Sequence, residues 1–198
     1  MTALKLDGIQ ACVFDANGTL FDVNSAARDV RDLLGEKWQP LADLWRTKQL
    51  QYTWLRDLGG RHADFWQVTG DALDFALSTL QLEDTALRAR LMNLYMVLDA
   101  FLEVSDTLNL LKLSAMKLAI LSNGTPAMLA AAADNAGITR LFDAVLSVEE
   151  VGVYKPHPSV YRLVCDATSG GSFPRMFCLF QWLGRTLCES LRLPRLLV

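Results

Sequence analysis

The chain has 198 residues, a net charge of -3, 52% hydrophobic and 21% charged residues. Those values fit one globular domain, or one with an insert, and exclude a disordered chain. They also leave no positive footprint for nucleic acid. The start lacks a basic segment leading into an apolar one, and no apolar run reaches the length of a membrane span, so a soluble cytoplasmic protein is expected.

Ile9, Ala11, Cys12, Val13 and Phe14 form a short apolar run between Gly8 and Gly18. This predicts a buried strand ending in a tight loop. From 21 to 98 the pattern is helical with no clear strand. Pro40 is placed to start a helix in which Leu41, Leu44, Trp45, Tyr52, Leu55 and Leu58 recur at helical spacing, and Gly59-Gly60 stops it. Phe65, Trp66, Leu73, Phe75, Leu77 and Leu80 predict a second helix; Leu87, Leu91, Leu94, Tyr95 and Leu98 predict a third. Ser105 is expected to cap a helix through Leu113, and Lys117 to Ser122 reads as a buried strand with its polar residue at the carboxyl end. A helix from Pro126 stopped by Gly137, a strand from Phe142 to Ser147 and a helix from Pro158 to about Asp166 follow. Strands alternating with helices predict an α/β fold with a parallel sheet wrapped on both faces.

Asp15 falls at the carboxyl end of the first strand, where open α/β sheets bind ligands. There a carboxylate can be desolvated on one side and receive N–H bonds from the loop. Gly18 lets the loop curl close to an anion. Thr19 offers a hydroxyl to one carboxylate oxygen, leaving the other free to attack. Taken alone, Asp-x-x-Gly-Thr reads more readily as a helix-capping turn. Arg46, on periodicity alone, reads as a solvated surface residue, and Leu50, Phe65 and Trp66 as core. Cys12, Cys165, Cys178 and Cys188 form no CxxC pair and the chain has 2 His, which argues against a zinc site.

Three motifs in order change these odds: Phe14-Asp15-Ala16-Asn17-Gly18-Thr19-Leu20-Phe21-Asp22, Leu121-Ser122-Asn123-Gly124, and Val151-Gly152-Val153-Tyr154-Lys155-Pro156-His157-Pro158. Together they resemble the haloacid dehalogenase (HAD) superfamily. With Trp45-Arg46-Thr47-Lys48-Gln49-Leu50-Gln51-Tyr52-Thr53-Trp54 the wording is similar to one branch, the L-2-haloacid dehalogenases, from about Ile9 to about Asp166. The resemblance implies a Rossmann-like core over 1–20 and 99–167, a helical cap over 21–98, and an atypical tail over 168–198 that leaves the core incomplete. It implies hydrolysis of short L-2-haloalkanoic acids to D-2-hydroxyalkanoic acids and halide through an aspartyl ester, with no metal or other cofactor, and a homodimer.

By the same resemblance Asp15 is the nucleophile, and Arg46 takes up the departing halide. Lys155 sets a positive charge beside Asp15. Ser122 and Asn123 bind the substrate carboxylate, with Tyr161 as a further contact. Leu50 and Phe65 line the apolar side of the pocket. Asn17 stands where phosphatases of the superfamily carry a second Asp as general acid, and it cannot donate a proton in that way. This argues against a magnesium-dependent phosphatase or phosphonatase. It also departs from the Tyr common in the dehalogenases. His62 and His157 receive no role.

Beyond Tyr161 the family carries Ser-Ser-Asn-x-x-Asp, whose Asp serves the water that hydrolyses the ester. Here the chain reads Met176-Phe-Cys-Leu-Phe-Gln-Trp-Leu-Gly-Arg185, and no Asp follows Asp166. Codons exist for Cys178 to Val198 whose one-base shift reads Val-Ser-Ser-Asn-Gly-Trp-Asp, with Gly-Phe further on. A frameshift between about Thr168 and Cys178, in the gene or in its sequencing, is therefore expected. So is impaired turnover, with a catalytically inactive protein as the alternative.

Overall fold

The computed structural model describes residues 10–168 and 176–179. The expected strand start at Ile9 and most of the tail lie outside them. Strand β1 (Ala11–Phe14) is flanked by β2 (Lys117–Ser122) on one side and β4 (Met176–Leu179) on the other, and β3 (Ala144–Ser147) pairs with β2. The sheet order is β3-β2-β1-β4 and every pairing is parallel. All four β1 residues are buried, as is β2 after Lys117. Successive strand residues face opposite sides, so both faces of the central strands are covered. The chain runs outward from β1 through β2 to β3 and then resumes beyond β1 at β4. The crevice of such a sheet opens at that reversal, beyond the carboxyl end of β1. Strand β4 falls inside the stretch expected to be atypical and adds to the core there.

Between β1 and β2 the chain forms α1 (Ser25–Arg28), α2 (Arg31–Leu34), α3 (Trp38–Leu58), α4 (Phe65–Thr79), α5 (Thr85–Met96) and α6 (Val104–Leu113). The segments leading into and out of this block are tied together. Phe21 bridges Ala100, the Asp22 N–H donates to Asp99 O, and the Arg28 guanidinium holds both Asp22 and Asp99. Helix α3 buries Leu41, Trp45, Gln49 and Thr53, a stripe at four-residue spacing, and α4 packs against it. It begins at Trp38, ahead of the expected Pro40, because a proline in the first turn removes an N–H that has no intrahelical acceptor. Asp64 and Asp84 cap α4 and α5 by accepting from Gln67 N and Leu87 N.

Helix α6 starts one residue before the expected cap, Ser105, so that side chain sits inside the first turn. Helix α7 (Pro126–Asn135) starts where proline predicts, capped by the Thr125 hydroxyl, and α8 (Pro158–Thr168) closes the series. Strand β3 is shorter than its apolar run: Phe142 and Asp143 precede it, and the Asp143 carboxylate is spent on the Leu118 N–H, Lys112 and Lys117.

Candidate active site

Asp15 leaves β1 at its carboxyl end and meets Lys155, which the intervening chain brings back from 140 residues away. The Lys155 Nζ donates to Asp15 Oδ1 at 2.5 Å and to Leu121 O at 3.1 Å. Both side chains are mostly shielded, 13% exposed for Lys155 and 17% for Asp15. Shielding from solvent strengthens the attraction between them. The Lys155 main chain is held as well, because its N–H donates to Asn123 Oδ1 at 3.1 Å.

The loop after β1 differs from expectation in one respect. The amides from Gly18 to Phe21 turn to other loop residues and not to Asp15. The Thr19, Leu20 and Phe21 N–H groups donate to Ala16 O, and Gly18 N–H donates to Phe21 O. Gly18 takes φ 93°, a left-handed geometry that glycine adopts without strain, and this closes the knot. Thr19 is buried, and its hydroxyl has no hydrogen-bond partner among the described residues, Asp15 included. A buried hydroxyl left unpaired costs about 1–3 kcal/mol.

Ser122 ends β2, buried, and its Oγ accepts from Gly124 N–H. Ser147, at the end of β3, donates to Gly124 O at 2.7 Å and steadies the same turn. The Asn123 amide oxygen accepts from the Lys155 N–H, which leaves its amide nitrogen for another partner. Tyr161 lies half-buried against the core on α8.

Arg46 reaches this end of the sheet from α3. Its Nη2 donates to Asn17 O at 3.0 Å and lies over Gly18, where an added Cβ would sit 3.5 Å away. Its Nη1 donates to Gln49 Oε1 at 2.8 Å. Asn17 is therefore gripped by its backbone, and its position beside Asp15 puts Arg46 at the mouth of β1. Among the described residues no carboxylate pairs with Arg46. Phe65 is fully buried at the start of α4, and its N–H donates to Glu149 Oε1 at 3.1 Å. Leu50 is half-buried on α3, one turn beyond Arg46. The fold thus gathers Asp15, Lys155, Asn123, Asn17 and Arg46 through hydrogen bonds and carries Thr19 and Ser122 on the two loops that frame them.

Sequence reasoning passed over Gln49 and Ser147. Gln49 lies inside the Trp45–Trp54 motif, and its only further signal was a polar residue on a buried helical stripe.

The family model described as haloacid dehalogenase-like hydrolase matches residues 9–172. The chain belongs to the haloacid dehalogenase-like hydrolases. Over 162 residues it is 45% identical to "(S)-2-haloacid dehalogenase 4A" of Burkholderia cepacia, a match covering 81% of this chain and 70% of that one. It is 46% identical over 162 residues to "(S)-2-haloacid dehalogenase 1" of Pseudomonas sp. (strain CBS-3), covering 81% and 71%. Among solved structures it is similar to the L-2-haloacid dehalogenase of Xanthobacter autotrophicus with chloropropionic acid covalently bound, with TM-score 0.75, 45% identity, and 81% and 65% of the two chains covered. Among the described residues no helix of this HAD-family chain is long and apolar enough to cross a membrane, and no group of three or more His, Cys, Asp or Glu is placed to hold a metal ion.

Proposed function

We propose that this chain acts on short L-2-haloalkanoic acids, with Asp15 as nucleophile. An Asp15 carboxylate oxygen attacks the substrate Cα from behind. The carbon–halogen bond breaks, the halide leaves with the bonding pair, and Cα is joined to Asp15 as an ester with inverted configuration. Water then attacks the ester carbonyl, frees the D-2-hydroxy acid and restores the carboxylate. The observation that carries this reading is the pairing of a shielded Asp15–Lys155 couple with an Arg46 whose charge no described carboxylate compensates. A weakly hydrated guanidinium held by neutral acceptors suits a departing halide. Relatives that are 45% and 46% identical and bear the name (S)-2-haloacid dehalogenase support the substrate class.

Roles follow for the remaining residues. Lys155 orients Asp15. Ser122, the amide nitrogen of Asn123 and Tyr161 receive the substrate carboxylate. The buried Thr19 hydroxyl turns to Asp15 once substrate binds. Leu50, Phe65 and Asn17 shape the pocket. The block over 21–98 acts as a cap on the core of 1–20 and 99–167, closing water out of the first step. The tied linkers at Phe21 and Ala100 favour that division. A cytoplasmic location is part of the same reading. So is a homodimer, for which exposed Trp54, Leu55 and Leu58 at the end of α3 offer an apolar patch.

The second step is the weak one. Positions 176–185 carry no acid to serve the water, which fits a shifted reading frame past about Thr168. The chain as written is therefore expected to form the ester and release it slowly. Incubation with L-2-chloropropionate, followed by intact mass and halide measurement, tests this. The expected result is one halide released per chain with a covalent adduct at Asp15, unchanged by a chelator. Steady turnover without an adduct would show that another group serves the water. Hydrolysis of a phosphate ester abolished by the chelator would favour the phosphatase reading instead. Nucleotide sequence across codons 168–178 tests the frame: no single-base change restoring the motif rules the shift out.

A further inference from the structure

Arg46 is held by a chain of polar contacts that runs away from the reacting centre into the helical block. Gln49, one turn further along α3, is 1% exposed. Its Oε1 accepts from Arg46 Nη1 at 2.8 Å, and its Nε2 donates to Thr69 Oγ1 at 2.7 Å. The Thr69 hydroxyl spends its own proton on Phe65 O at 2.6 Å, so its oxygen is left as an acceptor. That fixes the direction of the Gln49 amide: nitrogen toward Thr69, oxygen toward Arg46. Tyr95, fully buried on α5, places its hydroxyl 3.0 Å from Gln49 Nε2 and 3.2 Å from Oε1. Burial keeps the Tyr95 hydroxyl protonated, its ionisation pushed up despite the nearby Arg46 charge. Trp45 packs against Tyr95 with ring centroids 5.0 Å apart and planes tilted by 47°, and it donates its indole N–H to Thr69 O, closing the network.

Every acceptor offered to Arg46 in this network is neutral. A carboxylate in place of the Gln49 amide would hold the guanidinium equally well, but it would compensate its charge. A neutral acceptor fixes the fork and leaves the charge for an anion. The guanidinium has five N–H donors, and the bonds to Gln49 and Asn17 engage two of them.

We infer that Gln49, oriented by Thr69 and Tyr95, is the positioning residue for Arg46 in the departure of the halide. This rests on the dehalogenase reading above. The signature is leaving-group dependence. Chloride departs less readily than bromide and gathers more charge in the transition state that hydrogen bonds must stabilise, so misplacing Arg46 slows the chloride reaction more.

The test is the rate of adduct formation at Asp15 in the full chain, with L-2-chloropropionate and L-2-bromopropionate in parallel. Gln49→Met keeps volume and removes the acceptor. It is expected to slow the chloro reaction about tenfold and the bromo reaction about threefold or less. Gln49→Glu is expected to lower the chloro-to-bromo ratio as well, because its carboxylate compensates Arg46. Tyr95→Phe, which keeps the ring against Trp45, should shift the ratio in the same direction by about twofold, and it carries the test if the Gln49 variants do not fold. An equal slowing of both substrates, or none, in the variants that fold overturns the inference while leaving the dehalogenase reading intact. A wild-type chain that takes no adduct and releases no halide from either substrate overturns that reading itself.

Discussion

The two sides of the site hold their cations in opposite ways. On the core side, Lys155 is committed: it pairs with the Asp15 carboxylate at 2.5 Å and with Leu121 O. On the helical side, Arg46 is gripped by Gln49 and by Asn17 O, both neutral. One cation is spent on orienting an anion the protein already carries. The other is oriented with no carboxylate among the described residues paired to it. The difference teaches what each half can do. In the proposed mechanism the Lys155 half prepares an oxygen to attack, and the Arg46 half receives what leaves. On that proposal, swapping the two arrangements would disable both: a Lys155 without its acid could not place the nucleophile, and an Arg46 with one could not take the halide.

The contrast breaks most visibly at Lys155. Lys155→Met removes the group that places Asp15, and adduct formation from L-2-chloropropionate is expected to fall by about a hundredfold or more. Stopped-time intact-mass measurement reads this directly, and a loss under threefold would contradict the assigned role. Arg46→Lys keeps a charge on the helical side but loses the planar fork that reaches Gln49 and Asn17 together. The chloro reaction should slow by about tenfold, an effect of about 1.4 kcal/mol. The same assay checks it.

Two smaller effects sharpen the comparison from outside the direct contacts of Lys155 and Arg46. Glu149, just beyond β3, accepts from the Phe65 N–H and pairs with His62 Nε2 at 3.0 Å, joining core to helical block. Glu149→Leu is expected to cost about 1–2 kcal/mol in thermal or denaturant unfolding. Asp143 lies at the far end of the sheet. Burial raises its pKa, but hydrogen bonds from Lys112, the Leu118 N–H and Lys117 outweigh it and hold the carboxyl at about 2 instead of 3.8. A depressed folded value stabilises the protein above the ordinary carboxylate range, and that stability is lost as pH falls toward 2. Asp143→Asn should therefore cost about 1 kcal/mol near neutral pH, allowing for solvent screening. It should flatten the acid limb of the unfolding curve between pH 4 and 2 and leave adduct formation unchanged.

Much of the scaffold was legible from the chain. Lys117 to Ser122 is an apolar run with one polar terminus, and the strand has those bounds. Pro126 begins α7 because proline suits the first helical position. The misplacements are local. A cap at Ser105 is a plausible reading of one hydroxyl, yet packing of Val104 and Leu108 into the core starts the helix a residue earlier. Strand β3 stops short of Phe142 because Asp143 is drawn to two lysines and an N–H that no local pattern reveals.

The site was legible only where its motifs carried a family likeness. That likeness put Asp15 and Lys155 together across 140 residues, and the fold does bring them into contact. It could not show that Asn123 turns its oxygen to the Lys155 N–H, nor that the Thr19 hydroxyl has no partner among the described residues. Those depend on rotamers set by neighbours far away in sequence. Tyr95 read as one more apolar-face residue, and Gln49 went unremarked. Their contacts exist only because α3, α4 and α5 meet with Thr69 between them.

The central claim is that an Asp15 oxygen forms a bond to substrate carbon, and the most direct measurement is the intact mass of wild type and Asp15→Asn after incubation with L-2-chloropropionate, with peptide mapping of any adduct. The account predicts one adduct on the peptide containing Asp15 in wild type, with halide released in equal amount, and neither in the variant. Halide released by Asp15→Asn at the wild-type rate, or an adduct on another residue, would contradict it.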